Sequence, residues 1–425
     1  MRFAERVTAS EEPRAVVPPD ARTDPSVLRV ARQPILDPHM RLLGYELLFR
    51  EPPAERAEVH DDRAATATVI VDGLFDVGLF DLVGGTLAYL NVSREFLLNF
   101  RPLPLPAQHV VLELLEDQQV DDELLEVLQE LVAAGFAIAL DDFRMTPATE
   151  QLLEYAQIVK LDVLEHTTAG LEELIARLRA ERPSLSLIAE KVESREVFEQ
   201  CLELGVHGFQ GYFFAKPSLV QRSRLPSQGF TALGAIADMS ATEDFDELNR
   251  IITRDAGLSM RLLRYANSAY VALPRRVSSV HEGLTWLGAS TVRRFGMMVA
   301  LASARDVPDV LLVTALVRAN MCQIVSGVGQ GPVGDSYFTV GLFSVADALA
   351  NAPMRDVIEQ LPFREDVAAA LLRGGGDLGR TLTEVIAYER GDFDAAGELI
   401  SRYPNIQQIY RESAVWADLS IRGLI

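Results

Sequence analysis

The chain has 425 residues, 48% hydrophobic and 24% charged, a length and balance that fit two globular cores better than one. Its net charge of −21 excludes a general affinity for polymeric nucleic acid, which needs a basic surface to displace counterions, and docking on anionic membrane by charge alone. No apolar run approaches the roughly 18 residues of a membrane helix; FGMMVALASA (295–304) comes nearest and reads as a buried helix, so no membrane insertion is expected.

Residues 1–26 are rich in Pro, Arg and acidic side chains, lack an apolar segment, and predict a disordered tail without a secretion signal. Strand-like runs follow at VLRVARQPILD (27–37), LLGYELLFR (42–50), TLAYLNV (86–92), HVVLELLE (109–116), FAIALDDF (136–143), IVKLDV (158–163), LSLIAEKV (185–192) and HGFQGYFF (207–214). Amphipathic helical stretches such as 121–135 and 171–183 lie between them, with Gly135 and Pro183 as stop signals. Only PHMR separates the first two strands, which suits a hairpin and not a parallel crossover. The pattern predicts an α/β fold, a (β/α)8 barrel with one antiparallel strand, spanning residues 27–218.

A polar, proline-containing break at 219–229 reads as a linker. Beyond it, residues 230–425 carry 3.6-residue apolar spacing at 244–269, 279–304, 307–329 and 336–351, and predict an all-α unit with a C-terminal extension. GGGDLG (374–379) reads as a loop, Met297, Met298 and Trp286 as core, and Trp416 as packing on the last helix. Cys201 and Cys322 have no metal-type spacing and read as reduced, buried thiols of a cytoplasmic protein.

Function concentrates at the strand ends. Glu46, Asn91, Glu113, Asp141, Asp142, Glu190 and Glu193 sit at or near the carboxyl tips of apolar runs. Unpaired carboxylates there are costly to desolvate, so a positive partner should gather them. Hard divalent ions such as magnesium take oxygen ligands of this type. Lys160, beside Asp162 on an apolar strand, reads as an internal partner.

These residues, in this order, resemble the EAL domain family, bacterial phosphodiesterases and receptors of cyclic di-GMP. The family signature, glutamate and leucine and arginine at alternate positions, stands here as Glu46-Leu47-Leu48-Phe49-Arg50, and LNVS, LELLE, DDF, VKLD, AEKVE and FQGY continue the likeness. The resemblance implies a two-metal site for magnesium or manganese held by Glu46, Asn91, Glu113, Asp141 and Asp142, with Glu193 assisting. It implies that Lys160 polarises the attacking water, Glu190 acts as base or orients the site, and Gln210 lines it. Arg50 and Leu48 fall at positions that contact cyclic di-GMP, and the product is the linear dinucleotide.

Three departures stand out. Leu47 replaces alanine in the signature, and Lys191 stands where glycine is usual. After Asp142 the glycine-threonine-glycine loop of active members is replaced by Phe143-Arg144-Met145-Thr146-Pro147-Ala148-Thr149. The family loop helps order the ligands and is anchored by Glu116, so its loss implies ligands held less firmly and weak turnover.

Residues 258–303 resemble the HDOD domain, a helical relative of HD metal phosphohydrolases. Downstream of position 220 the chain has a single histidine, His281, too few for that chemistry, so HDOD reads as an output module for an unidentified protein partner. A homodimer through either domain is compatible with this reading. A catalytically inactive receptor, an interaction scaffold without nucleotide binding, and a barrel enzyme on another phosphoester stay open as alternatives.

Overall fold

The computed structural model describes residues 29–50, 82–115, 118–212, 237, 244–254, 256–267, 275–302, 308–328, 331–350, 352–361 and 363–424. The expected tail (1–26), the linker (219–229), Glu116 and the side chain of Arg50 lie outside the described residues.

Eight strands close into a barrel in chain order: β1 (Arg29–Leu36), β2 (Leu42–Arg50), β3 (Leu87–Val92), β4 (Val110–Leu114), β5 (Ala137–Leu140), β6 (Ile158–Asp162), β7 (Ser186–Glu190) and β8 (Gly208–Gln210). β1 runs antiparallel to both neighbours, β2 and β8, and the other adjacent pairs are parallel. The reversal follows from the short hairpin that PHMR forms. The Asp37 carboxylate accepts from the His39 and Arg41 backbone N–H groups at 2.7 and 2.8 Å and from Arg41 Nε at 2.7 Å. That side chain replaces the backbone partners that a tight turn leaves unmet.

Period-two alternation sorts side chains between the barrel interior and the helix-facing exterior. Ile35, Tyr89, Val111, Ala139, Ile158 and Ile188 form a separate apolar cluster. Two residues further along β3, β4, β5, β6 and β7 come Asn91, Glu113, Asp141, Lys160 and Glu190. The polar set therefore stands on an apolar floor. Gly44 makes room for that floor, since a Cβ there would meet Leu87 O at 2.5 Å and the Tyr89 ring at 2.9 Å.

Around the barrel, the helices Arg94–Asn99, Asp122–Ala133, Thr168–Glu181 and Arg195–Glu203 begin at Ser93, Asp121, Thr167 and Ser194. Each cap side chain accepts a first-turn backbone N–H, which ends the preceding loop at a fixed residue. Cys201 and Cys322 are both buried, and burial pushes their thiols up to about 11 and about 12.

The second half is helical. Its centre is the Asp309–Val325 helix, buried on nearly all sides between the Pro332–Phe343 and Ile406–Leu424 helices. Met297 and Met298 are core, and Trp416 packs edge-on against Phe338 at 6.3 Å. Trp286 is not core. On the Val280–Leu287 helix the buried positions are Val280, Gly283 and Leu284, and Trp286, two residues beyond Leu284, faces outward under Arg275. The GGGDLG reading also needs correction: only Gly374 and Gly375 form the turn, and Gly376–Glu389 is helix. Gly374 adopts φ 63°, and Gly379 packs so closely on it that a Cβ would meet Gly374 C at 2.2 Å. Among the described residues no helix is long and apolar enough to cross a membrane.

The C-terminal helices clasp β1 from outside the barrel. Tyr410 Oη accepts from Arg32 N at 3.3 Å, and Tyr388 Oη donates to Val30 O at 3.4 Å. The buried Arg32 guanidinium stacks over Tyr45 at 4.3 Å, meets Asp418 at 3.3 Å and donates to Leu82 O. Inside the helical half, Arg318 grips Glu389 through two hydrogen bonds of 2.6 and 3.1 Å, with both side chains almost fully buried. Removing one partner strands a buried charge. Arg318→Ala is expected to cost about 3–5 kcal/mol, read from urea unfolding, whereas Arg177→Ala at an exposed surface ion pair should leave the unfolding midpoint nearly unchanged.

Candidate active site

At the carboxyl end of the barrel, Lys160 is completely buried on β6 and four carboxylates converge on its Nζ. Asp141 lies at 2.7 Å, Glu190 at 2.8 Å, Glu113 at 2.9 Å and Glu46 at 3.1 Å. Asn91 Nδ2 donates to Glu46 Oε1 at 2.8 Å and Gln210 Nε2 to Glu46 Oε2 at 2.5 Å. The register explains the convergence, since Asn91 pairs with Glu113 across β3 and β4, and Asp162 with Glu190 across β6 and β7.

Four acids around one ammonium cannot all be charged without cost. Burial would push Glu46 up, but the Lys160 charge and the hydrogen bonds from Gln210, Lys160 and Asn91 hold its carboxyl below the ordinary value. Glu113 goes the other way: burial and the like charge of Glu46 raise it well above the carboxylate range. Burial also raises Asp141, and pushes Glu190 up to about 8. Burial opposes the Lys160 charge, yet Glu113, Glu46, Glu190 and Asp141 together raise the ammonium well above its ordinary value. The site thus holds a permanently charged lysine beside a carboxyl that titrates near neutrality, a combination suited to proton transfer.

A second, more open charge pair lies beside it. Lys191 Nζ meets Asp162 at 2.5 Å and Asp142 at 3.4 Å. Both Asp142 and Lys191 adopt left-handed backbone conformations, φ 42° and 55°. The stretch after Asp142 is fixed by its own chemistry instead of by glycines. Phe143 is buried and its N–H donates to Lys160 O at 3.0 Å. Thr146 and Thr149 form a reciprocal cap on the Pro147–Leu152 helix, with Pro147 in its first turn, and Arg144 pairs with Glu165.

The structure brings Glu46, Asn91, Glu113, Asp141, Lys160, Glu190 and Gln210 into one cluster and places Asp142 at its edge. Glu193 is exposed and is not among the groups in contact with Lys160. Leu48 sits half-buried two residues beyond Glu46, close enough to Gly391 that a Cβ there would meet Leu48 Cδ1 at 2.8 Å. Arg50 ends β2 in register with Arg29. The pairing of Asp162 with Lys191 was missed as part of the site. Its sequence trace is Lys191 standing where glycine is usual, and nothing local says which way that side chain turns.

The donor set fits a hard divalent ion. Asn91 Oδ1, Gln210 Oε1 and both Glu113 oxygens are buried without a hydrogen-bond partner, although Glu113 lies within ion-pair distance of Lys160. Such orphaned acceptors in an anion-rich pocket suit oxygen-ligated magnesium or manganese. Among the described residues no three acidic, imidazole or thiol groups form a ready-made coordination sphere. The carboxylates turn onto the ammonium instead.

A mixed barrel with a carboxylate cluster around a buried lysine, joined to a helical bundle, defines the class of protein. The EAL domain family matches residues 90–217 and the HDOD domain family residues 232–344. Over 368 residues the chain is 33% identical to cyclic di-GMP phosphodiesterase CdgJ of Vibrio cholerae, across 86% of this chain and 85% of that protein. It is 26% identical over 402 residues to the uncharacterized protein YuxH of Bacillus subtilis, across 91% and 97% of the two chains. The calcium/cyclic di-GMP complex of Klebsiella pneumoniae BlrP1 is similar with 23% identity and a TM-score of 0.39, over 47% of this chain and 58% of that one. The chain belongs to the EAL family, in the form that carries a following HDOD domain.

The proton balance is measurable. Folded Glu190 keeps its proton to about pH 8, against an ordinary 4.5, so the folded state binds more protons than the unfolded state between these values. Stability of the metal-free chain is therefore expected to be full below pH 4.5 for this group and to fall as pH rises towards 8. Thermal unfolding from pH 5.5 to 8 tests the slope. Calorimetry in buffers of different ionisation enthalpy should show net proton release when manganese binds at pH 7.

Proposed function

We propose that the barrel binds cyclic di-GMP and hydrolyses it, with magnesium or manganese, to the linear dinucleotide, and that HDOD serves as the output domain of this cytoplasmic signalling chain. The domain limits proposed are 27–218 for the barrel, 219–229 for the linker and 230–425 for HDOD with its extension. The observation that carries the reading is the buried Lys160 held by Glu46, Glu113, Asp141 and Glu190 at the strand ends. The similarity to a relative named as a cyclic di-GMP phosphodiesterase supports the substrate.

Bound divalent ions would supply an activated water and charge stabilisation on the leaving oxygen. Glu46, Asn91, Glu113, Asp141 and Asp142 would hold them, with Glu193 assisting. The chain's own residues do the rest. Asn91 and Gln210 fix both oxygens of Glu46, so that carboxylate cannot rotate away from the reacting phosphate. Lys160 would polarise the attacking water once bound ions draw carboxylates away from its Nζ. Glu190 would act as base or orient the site once a bound cation has displaced the proton that burial makes it hold in the metal-free chain. Arg50 and Leu48, at alternate positions beyond Glu46, would contact the nucleotide, because a guanidinium matches a phosphate by its paired donors.

A catalytically inactive receptor is the second reading, and the observation that favours it is Lys191 placed between Asp142 and Asp162. The two readings separate in one experiment. Wild type is expected to convert cyclic di-GMP to the linear dinucleotide with magnesium or manganese, and Lys160→Met and Glu46→Ala to lose at least about 100-fold in rate. Tight binding in calcium without turnover in magnesium would establish the receptor. Calorimetry showing no nucleotide affinity with either ion would leave a protein-interaction scaffold and overturn both.

A further inference from the structure

The carboxylates of the site divide between two lysines. Lys160 gathers Glu46, Glu113, Asp141 and Glu190 in the buried half, and Lys191 takes Asp142 and Asp162 at the open edge. The two pairings differ in kind. Lys160 is fixed inside the barrel wall, whereas the Lys191 side chain is 51% exposed and reaches inward to Asp162, which is 5% exposed. Both Asp162 oxygens are engaged, because Oδ1 accepts from Leu164 N at 2.8 Å while Oδ2 takes the ammonium.

The backbone holds Lys191 in this pose. Its φ of 55° is a conformation that side chains with a Cβ rarely adopt, and it persists only where the surroundings dictate it. Here they do. Val192 N donates to Gln210 O at 3.0 Å, and Gly211 lies so close that a Cβ would meet Val192 O at 2.1 Å. Asp142, with φ 42°, approaches the same ammonium from β5. Two left-handed residues on different strand ends thus direct opposite charges at one point.

We propose that Lys191 is a tethered cation supplying, at the Asp142–Asp162 edge, charge that a second divalent ion would otherwise bring, so that the chain holds one divalent ion firmly and a second weakly. This rests on the metal-dependent reading above and makes Lys191 a determinant of metal stoichiometry. An ammonium within 3.4 Å of an Asp142 oxygen repels any divalent ion using that carboxylate, and must swing out before it binds. The exposure of Lys191 leaves it room to do so, at the cost of leaving Asp162 buried without its cation.

The test is manganese binding by calorimetry and paramagnetic resonance, with wild type, Lys191→Met, Lys191→Gly and Lys191→Arg. Wild type should bind one manganese tightly and a second at least about tenfold more weakly. Lys191→Met and Lys191→Gly should both tighten the second event about tenfold or more, leave the first unchanged, and add the line broadening of two neighbouring ions. Lys191→Arg should behave as wild type. Thermal unfolding of each variant confirms that it is folded. Equal affinities for two ions in wild type, or superimposable isotherms for wild type and Lys191→Met, overturn the proposal. Tightening by glycine but not methionine also overturns it, because backbone strain and not charge would then be the cause. No manganese binding by any variant overturns the metal-dependent reading itself.

Discussion

The structure is organised around one electrostatic constraint: an ammonium with no solvent exposure must be surrounded by anions, and those anions must come from different strands. Lys160 meets carboxylates from β2, β4 and β7 and from the residue that follows β5. A charge of either sign left alone at that depth would be prohibitively costly. The barrel can therefore close only in the register that brings these groups together. The same constraint leaves surplus negative charge, and burial raises Glu113, Asp141 and Glu190 above the ordinary carboxylate value while Lys160 and its hydrogen bonds lower Glu46.

The apolar layer beneath and the helical half beside the site serve this arrangement differently. Ile35, Tyr89, Val111, Ala139, Ile158 and Ile188 exclude water from below, which keeps the ion pairs in a low-dielectric setting. The helical half touches the site's rim. Gly391 approaches Leu48, two residues past Glu46, and Arg390 stacks at 4.3 Å on Tyr212, two residues past Gln210. The helix that ends just before them carries Glu389, locked to Arg318 in the centre of the helical core. A continuous set of contacts thus joins the core of one domain to the strand ends of the other.

The segment after Asp142 shows how local chemistry can be replaced without loss of order. Where a glycine-based loop was expected to be needed, a reciprocal threonine cap, a first-turn proline and a buried phenylalanine fix the chain. Capping satisfies the backbone groups that glycine would otherwise leave free to adopt unusual shapes.

Much of this was legible in the sequence, for definite reasons. The strand positions follow from apolar runs with period two, the reversed first strand from a four-residue connection, and the helical second half from 3.6-residue spacing. The acidic tips were visible because a carboxylate at the end of an apolar run is physically conspicuous. What lay beyond the sequence were directions and distances across the fold. Trp286 looked like core because its helix is apolar, but only the packing of that helix on Leu284 decides which side faces out. Glu193 stands three residues from Glu190 in the chain, yet strand end and loop geometry put one against Lys160 and leave the other exposed. Lys191 adjoins Glu190, and only closure of the barrel shows that it turns to Asp142 and Asp162. The sequence alone determined which chemical groups are present and on which elements. The tertiary structure decided which of them share a charge, because that depends on register between strands far apart in the chain.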